Sequence, residues 1–389
     1  MIKIRQTILL SLVFLSLTCC VKTTSGGREA KVITISADDC ERVSMNDLFS
    51  RIEVIILEGD SIESCLSQPE EISYHNGSYY IKDRQAVYVY DSIGNFKYST
   101  ASRFGRGHNE YFSANGYYID NGIVYIMDWN GIIRGYDSYL NTTETISVKT
   151  DGVGYYDGVA RLSDDILVLS NENSHTDTIL WSFYSKSKEK VVRTVRINND
   201  ATRDNVYFGR HYLSNDSILL YRPFDNEYSL YRVDPGILSV YEAIRYDVGK
   251  NALDRSLAGN SESVASYIVK NYQNLSLLMD IGINNKFIIS RIGCVPMQGF
   301  QNSEIRLSVY SLKDGRNRLL DNVMTGNKWL MSIDYMDDNC IYTILNSYEG
   351  IEHLYEDSLL DDESGKNLKR INDDINAVII RYQLKEDLI

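Results

Sequence analysis

A pair of short strands recurs along this chain and limits its fold more than any other feature. Residues 78–91 read SYYIKDRQAVYVYD and residues 123–137 read IVYIMDWNGIIRGYD. Each unit is an alternating apolar strand ending in Asp, a short link, and a second strand ending in Tyr-Asp. Alternation with a period of two marks strands that bury one face. Looser copies follow at 165–184, 217–234, 286–312 and 340–384, with Tyr79, Tyr125, Leu167, Leu219, Phe287 and Tyr342 in the equivalent position. Their spacing of roughly 40 to 70 residues suits propeller blades that carry loop insertions.

The turns extend each pair to four strands. Ahead of the first strand stand polar turns such as His75-Asn76-Gly77, Asp120-Asn121-Gly122 and Asp337-Asp338-Asn339. Asn-Gly supplies the positive φ that a two-residue hairpin needs. After the second strand come Ser92-Ile93-Gly94, Asp234-Pro235-Gly236 and Lys313-Asp314-Gly315. Each copy is therefore a meander of strands A to D, with the repeated pair as B and C. The last copy ends at 378–384 without an outer strand, while residues 51–58, RIEVIILE, form a strand with no partner of their own. Pairing the two closes the ring and leaves no open edge. The expected fold is all-β: a six-bladed β-propeller of four-stranded antiparallel blades over 48–389, its N-terminal strand completing the last blade. Residues 255–279 look helical, with Val264, Ile268 and Tyr272 on one face, and 348–374 are acidic and mixed. Both are read as insertions, near 247–274 and 346–376.

The beginning of the chain bears on location. Lys3 and Arg5 precede an apolar run at 8–17, too short to span a bilayer, that ends in Leu17-Thr18-Cys19-Cys20. Leu three residues before a Cys resembles a lipobox, so residues 1–20 are read as a lipoprotein signal peptide with Cys20 as the acylated residue. Residues 21–47 are read as a polar tether. Attachment is then by acyl chains rather than a spanning helix, at the outer membrane or in the periplasm. The formal charge of −13 disfavours nucleic acid and attachment to anionic lipid through a basic patch. Cys40, Cys65, Cys294 and Cys340 are scattered without zinc spacing and are read as buried thiols.

In a meander propeller the A–B and C–D turns share one face, and the B–C and D–A connections share the other. The long connections, 103–111, 171–177, 247–274, 292–304 and 346–376, all fall on the second face. Loops on a rigid scaffold commonly carry binding groups. The candidate ligand contacts are Arg84, Trp129 and Phe224 in B–C loops, and Arg103, Arg106, His108, Glu110 and Tyr111 in the first D–A loop. Arg forks onto carboxylate or sulfate, and aromatic faces offer flat apolar plates. The competing reading packs the aromatics between blades and leaves the charges solvated.

The segment SRFGRGHNEY, residues 102–111, resembles the Gly-x-Gly-Pro-Gly-Glu-Tyr motif of six-bladed β-propeller lipoproteins of gut-type Gram-negative bacteria. Gly105, Gly107, Glu110 and Tyr111 match it, and His108-Asn109 replace Pro-Gly. Phe49-Ser50-Arg51-Ile52-Glu53 through Leu57-Glu58 resembles the family's opening, and Asp373-Asp374-Ile375-Asn376-Ala377-Val378 its Asp-Asp-Asn-Pro-Val segment without the Pro. The resemblance spans 48–385. It implies a relation to NHL-repeat propellers and binding of a glycan or a partner protein at the cell envelope.

The alternative is a metal-dependent lyase or hydrolase working in the central channel, which needs several His, Asp or Glu converging there. His75 falls in an A–B turn, on the wrong face, and only His108 and His175 fall in long-face loops. Asp83 and Asp128 end their B strands and suit turn capping better than Ca²⁺. Neither G-x-S-x-G nor H-E-x-x-H occurs. The expectation is a binding module without a cofactor, rather than an enzyme.

Overall fold

A computed structural model describes residues 29–388 except 37–39, 60–61, 149–154, 174–177, 199–211, 216–217, 224–227, 258–260, 272–273, 294–304, 322–331, 346–353, 355–358, 372–375 and 387. Cys20, Cys294, Phe224, His175, His211 and His353 lie outside the described residues. Ahead of the repeats come β1 (Lys31–Thr34), β2 (Glu41–Arg42), a helical turn α1 (Met45–Leu48) and β3 (Phe49–Leu57). Blade 1 is β4 (Pro69–His75), β5 (Ser78–Asp83), β6 (Ala86–Asp91) and β7 (Phe96–Ser99). Blade 2 is β8 (Gly116–Asp120), β9 (Ile123–Met127), β10 (Ile132–Tyr136) and β11 (Thr142–Ser147). Blade 3 is β12 (Gly158–Arg161), β13 (Ile166–Asn173), β14 (Thr178–Ser185) and β15 (Lys190–Asn198). Blade 4 is β16 (Tyr212–Ser214), β17 (Leu219–Tyr221), β18 (Ser229–Asp234) and β19 (Ser239–Asp247). Helix α2 (Ser261–Asn271) leads to blade 5: β20 (Leu277–Ile283), β21 (Phe287–Gly293), β22 (Arg306–Ser311) and β23 (Asn317–Asp321). Blade 6 holds β24 (Tyr335–Met336), β25 (Cys340–Leu345), helix α3 (Asp362–Arg370) and β26 (Ala377–Leu384).

The six-bladed propeller is as the repeat predicts, and so is its closure. β3 pairs antiparallel with β26, from Phe49 opposite Leu384 to Leu57 opposite Ala377, and forms the outer strand of blade 6. The repeated pair is B and C in every blade, and all six equivalent side chains are buried. The Asn-Gly turns have the required left-handed backbone, with φ of 48° and 74° at Asn76 and Gly77 and 50° and 79° at Asn121 and Gly122.

The core is divided radially. Six apolar clusters each join facing sheets of neighbouring blades. Tyr80, Val87 and Val89 meet Val124, Ile126 and Tyr136 between blades 1 and 2, and Leu57 and Ile379 meet Ile72 and Ile81 between blades 6 and 1. The many tyrosines serve these interfaces. Tyr74 lies 4.8 Å from Tyr79 and 5.8 Å from Tyr342, and Tyr118 stacks on Tyr125 at 4.6 Å. Such ring pairs add to the burial of apolar area.

Three readings need correction. Residues 21–47 are not tether throughout. β1 adds a fifth, parallel strand to blade 4 beside β19, and β2 does the same for blade 5 beside β23. The helical reading of 255–279 runs too far, because the helix is Ser261–Asn271 and Leu277 already begins a strand. Among the described cysteines, Cys40, Cys65 and Cys340 are thiols, and Cys65 is exposed rather than buried.

The second insertion also has a task inside the fold. Ile52 N–H donates to Leu359 O at 2.9 Å, and Val54 N–H donates to Ser364 Oγ at 2.9 Å. Asn367 Nδ2 donates to Val54 O at 2.8 Å. Helix α3, capped by Asp361 accepting from Ser364 N–H at 2.7 Å, thus covers the free edge of β3.

Candidate functional site

The carboxylates that end strand B hold the loops of the B–C and D–A face in place. Asp128 Oδ1 accepts from the N–H groups of Phe112 and Ser113 at 2.8 Å each, and its Oδ2 takes Arg134 Nη1 at 2.9 Å. Asp83 does the same for blade 1, accepting from Ser67 Oγ at 2.9 Å and Gln68 N–H at 3.1 Å. Both are buried, and both latch the segment that enters strand A of their own blade. Their oxygens are committed to amides and a guanidinium, which is loop capping rather than an open oxygen site for a cation.

The first D–A loop uses much of its conspicuous chemistry on itself. Tyr111 is fully buried, its hydroxyl 2.9 Å from Thr100 Oγ1 and its ring edge-on to Tyr136 at 5.9 Å. Burial raises its phenol pKa above the usual value. Glu110 folds inward and accepts from Gly107 N–H at 2.6 Å. Its carboxyl occupies the space a Cβ would need, at 2.1 Å from such an atom on Gly105 and 2.8 Å on Gly107, so a side chain at either position would push Glu110 aside. Arg103 Nε donates to Leu140 O of blade 2 at 2.9 Å, and Tyr136 Oη donates to Asn109 O at 3.0 Å. The loop is thereby seamed into the cleft between blades 1 and 2. Arg103, Glu110 and Tyr111, expected as ligand contacts, hold the loop's shape. Arg106 and His108 remain exposed.

A second group of side chains comes together above blades 2 and 3. Trp129 is 49% exposed. Its N–H donates to Ser113 Oγ at 2.9 Å, and its carbonyl accepts from Tyr156 N–H at 3.2 Å. These bonds bring three segments side by side, and each carries one exposed aromatic residue, Phe112, Trp129 and Tyr155. The Arg106 guanidinium lies 4.6 Å from the centre of the Phe112 ring. Arg84, at φ 50° in the tip of the neighbouring B–C turn, is exposed, and neither Arg84 nor Arg106 has a carboxylate partner among the described residues. Trp129, Arg106 and Arg84 were legible as candidates, whereas Phe112 and Tyr155 were not.

This aromatic surface borders the mouth of the central channel. Asn115 Nδ2 donates to Tyr156 O at 3.0 Å, and Asn115 and Asp157 line the channel. The cavity is about 690 Å³ and is walled by the inner strands of all six blades. Its wall holds an ion pair of buried Lys82 with partly exposed Glu70. It also holds Asp334, whose carboxyl is pushed up to about 6, chiefly by burial and also by the charge of Asp280, against the pull of the Ile344 N–H. Asp280 is raised too, again first by burial, although Arg291 Nη1 sits 2.8 Å away. At that value the Asp334 carboxyl holds its proton only in mildly acidic conditions, where it can donate a hydrogen bond to a ligand in the channel. Among the described residues no group of three His, Cys, Asp or Glu is placed to hold a metal ion.

Comparison with known proteins agrees with this architecture. A candidate exported protein of Bacteroides fragilis NCTC 9343 has a crystal structure that superposes with a TM-score of 0.64 at 13% identity, over 92% of this chain and 100% of that one. The Neurospora crassa Pan2 WD40 domain matches more weakly, with a TM-score of 0.40 at 7% identity over 76% and 77% of the two chains. Kuenenia stuttgartiensis hydrazine synthase gives 0.39 at 10% identity over 68% and 69%. No curated protein matches in sequence. The family model for the domain of unknown function DUF4934 matches residues 30–383, and the chain therefore belongs to that family.

Proposed function

We propose that this protein is an exported, lipid-anchored binding module that takes a glycan chain on the B–C and D–A face, over blades 1 to 3. The observation that carries the reading is the exposed trio Phe112, Trp129 and Tyr155, with Arg106 on its edge and the channel mouth beside it. Flat rings left half in water suit the apolar faces of sugar rings, and the Arg84 and Arg106 guanidinium groups suit carboxylate or sulfate substituents. The leader ending at Cys20 and the export named for the Bacteroides fragilis neighbour support the location. Among the described residues no helix is long and apolar enough to cross a membrane.

A glycan array followed by calorimetry on the best ligand tests this. Trp129→Ala is expected to weaken binding about tenfold or more while leaving the melting temperature unchanged, as for a central aromatic contact. No binding to any glycan turns the reading toward a protein partner. Shortened or unsaturated products in the mixture turn it toward a lyase or hydrolase in the channel.

A further inference from the structure

The three most exposed large apolar side chains among the described residues are Tyr139 at 84%, Ile93 at 71% and Ile237 at 59%. None lies on the face just described. All three sit in C–D turns, in blades 2, 1 and 4, on the opposite face of short turns. The turns do not need them. Asp91 closes its turn by accepting from the N–H groups of Ile93 at 3.0 Å and Asn95 at 2.9 Å. Asp137 accepts from Tyr139 at 2.9 Å and Asn141 at 2.8 Å, and Asp234 from Gly236 at 2.9 Å. With the carboxylates folded back into the turn bases, the largest group left protruding at each tip is apolar. A single exposed apolar residue is ordinary, but the same placement in three blades makes a ring of tips on one face. The corresponding turns of blades 3 and 5 are charged instead, with exposed Lys188 beside Glu189 and exposed Lys313 beside Asp314.

The path of the chain gives this face an occupant. β1 pairs parallel to β19, with Lys31 opposite Ile244 and Thr34 opposite Asp247. It therefore points away from the C–D turn that bears Ile237, and Lys31 stands level with Ile244, five residues along β19 from its start at Ser239. Val32 on β1 is also exposed. Ten residues separate Cys20 from Lys31, a reach of at most about 35 Å. From these placements we infer that the short-turn face rests on the bilayer, with Ile93, Tyr139 and Ile237 dipped into the interface, while the aromatic surface points away from the membrane. This rests on the lipid anchor proposed above. Acyl chains hold best with a second contact, and Tyr and branched apolar tips favour the headgroup boundary.

The test uses the full chain, made in a lipoprotein-processing host and reconstituted in phosphatidylethanolamine and phosphatidylglycerol vesicles with doxyl-labelled acyl chains. Tyr139→Trp and Ile93→Trp each place an indole on the short-turn face, and Arg84→Trp places one on the opposite face. The doxyl lipid is expected to quench about half or more of the added emission in the first two and none in the third. Quenching of Arg84→Trp alone, or of none of the three in a protein that stays with the vesicles, overturns the orientation. A wild-type chain that does not partition into detergent, or that partitions equally as Cys20→Ala, removes the anchor and this inference with it, and that result is read independently of the quenching.

Discussion

Asp334 shows how much a single side chain in the channel wall can reveal. Its Oδ2 accepts from Ile344 N–H at 2.7 Å and Ser332 Oγ at 2.9 Å, and burial beside Asp280 raises its pKa to about 6. A raised carboxyl binds more protons in the folded state than in the unfolded chain, so its contribution to stability falls as pH rises from about 4 to about 6. The loss from this group is on the order of 3 kcal/mol. Urea unfolding between those pH values is expected to show the decline, and Asp334→Asn, which keeps an accepting oxygen and carries no charge, to flatten it. An unchanged slope would place the titration elsewhere. The sequence did not single out Asp334, because its burial comes from blades distant in the chain. The same limit applies at the loop. Arg103 and Arg106 stand three apart in one segment, yet one reaches a carbonyl 37 residues on and the other lies over a ring. In Tyr111-Phe112 and Tyr155-Tyr156 one ring of each pair is buried and the other exposed, and nothing local says which.

Strand β3 was legible as an element because it had no local partner while the last blade lacked a strand. β1 was not, because only Ile33 of its four residues is buried and its gain is the parallel ladder itself, which leaves no apolar pattern in the sequence. Helix α3 was legible only as part of an acidic, mixed insertion, since Ser364 and Leu368 are its buried residues and its hold on β3 is polar. The two added strands differ in weight. Val54 of β3 is buried in the cluster with Leu368, Val378 and Ile380, whereas β1 lies at the outer edge of blade 4. Val54→Asp is expected to cost about 4 kcal/mol or more, through an unpaired buried charge and a loosened closing strand. Ile33→Ala is expected to cost about 2 kcal/mol, near the lower end for a buried Ile. Chemical denaturation of the two variants checks the order, and equal losses would mean that closure is not centred on β3.

At the scale of the molecule, the repeat with its Asn-Gly turns was enough for six blades, and counting connections was enough to separate a face of long loops from a face of short turns. What spacing could not give is the coupling between blades. That coupling lies in six clusters whose members come from different repeats, and the cluster between blades 6 and 1 joins β3 to strands at both ends of the repeat array. An open array of repeats has end units that can fray independently. In this ring each blade is packed on both sides, so opening one exposes two apolar faces. The folded chain is therefore expected to melt in one transition, with a calorimetric enthalpy close to the van't Hoff value. Trp181, fully buried between blades 3 and 4, should report the same midpoint as the backbone signal. Val54→Asp breaks the ring without touching that interface. In this variant the two signals should separate, with blade 6 loosening at a lower temperature than the surroundings of Trp181. If they stay together, the packing between blades is cooperative without the closing strand.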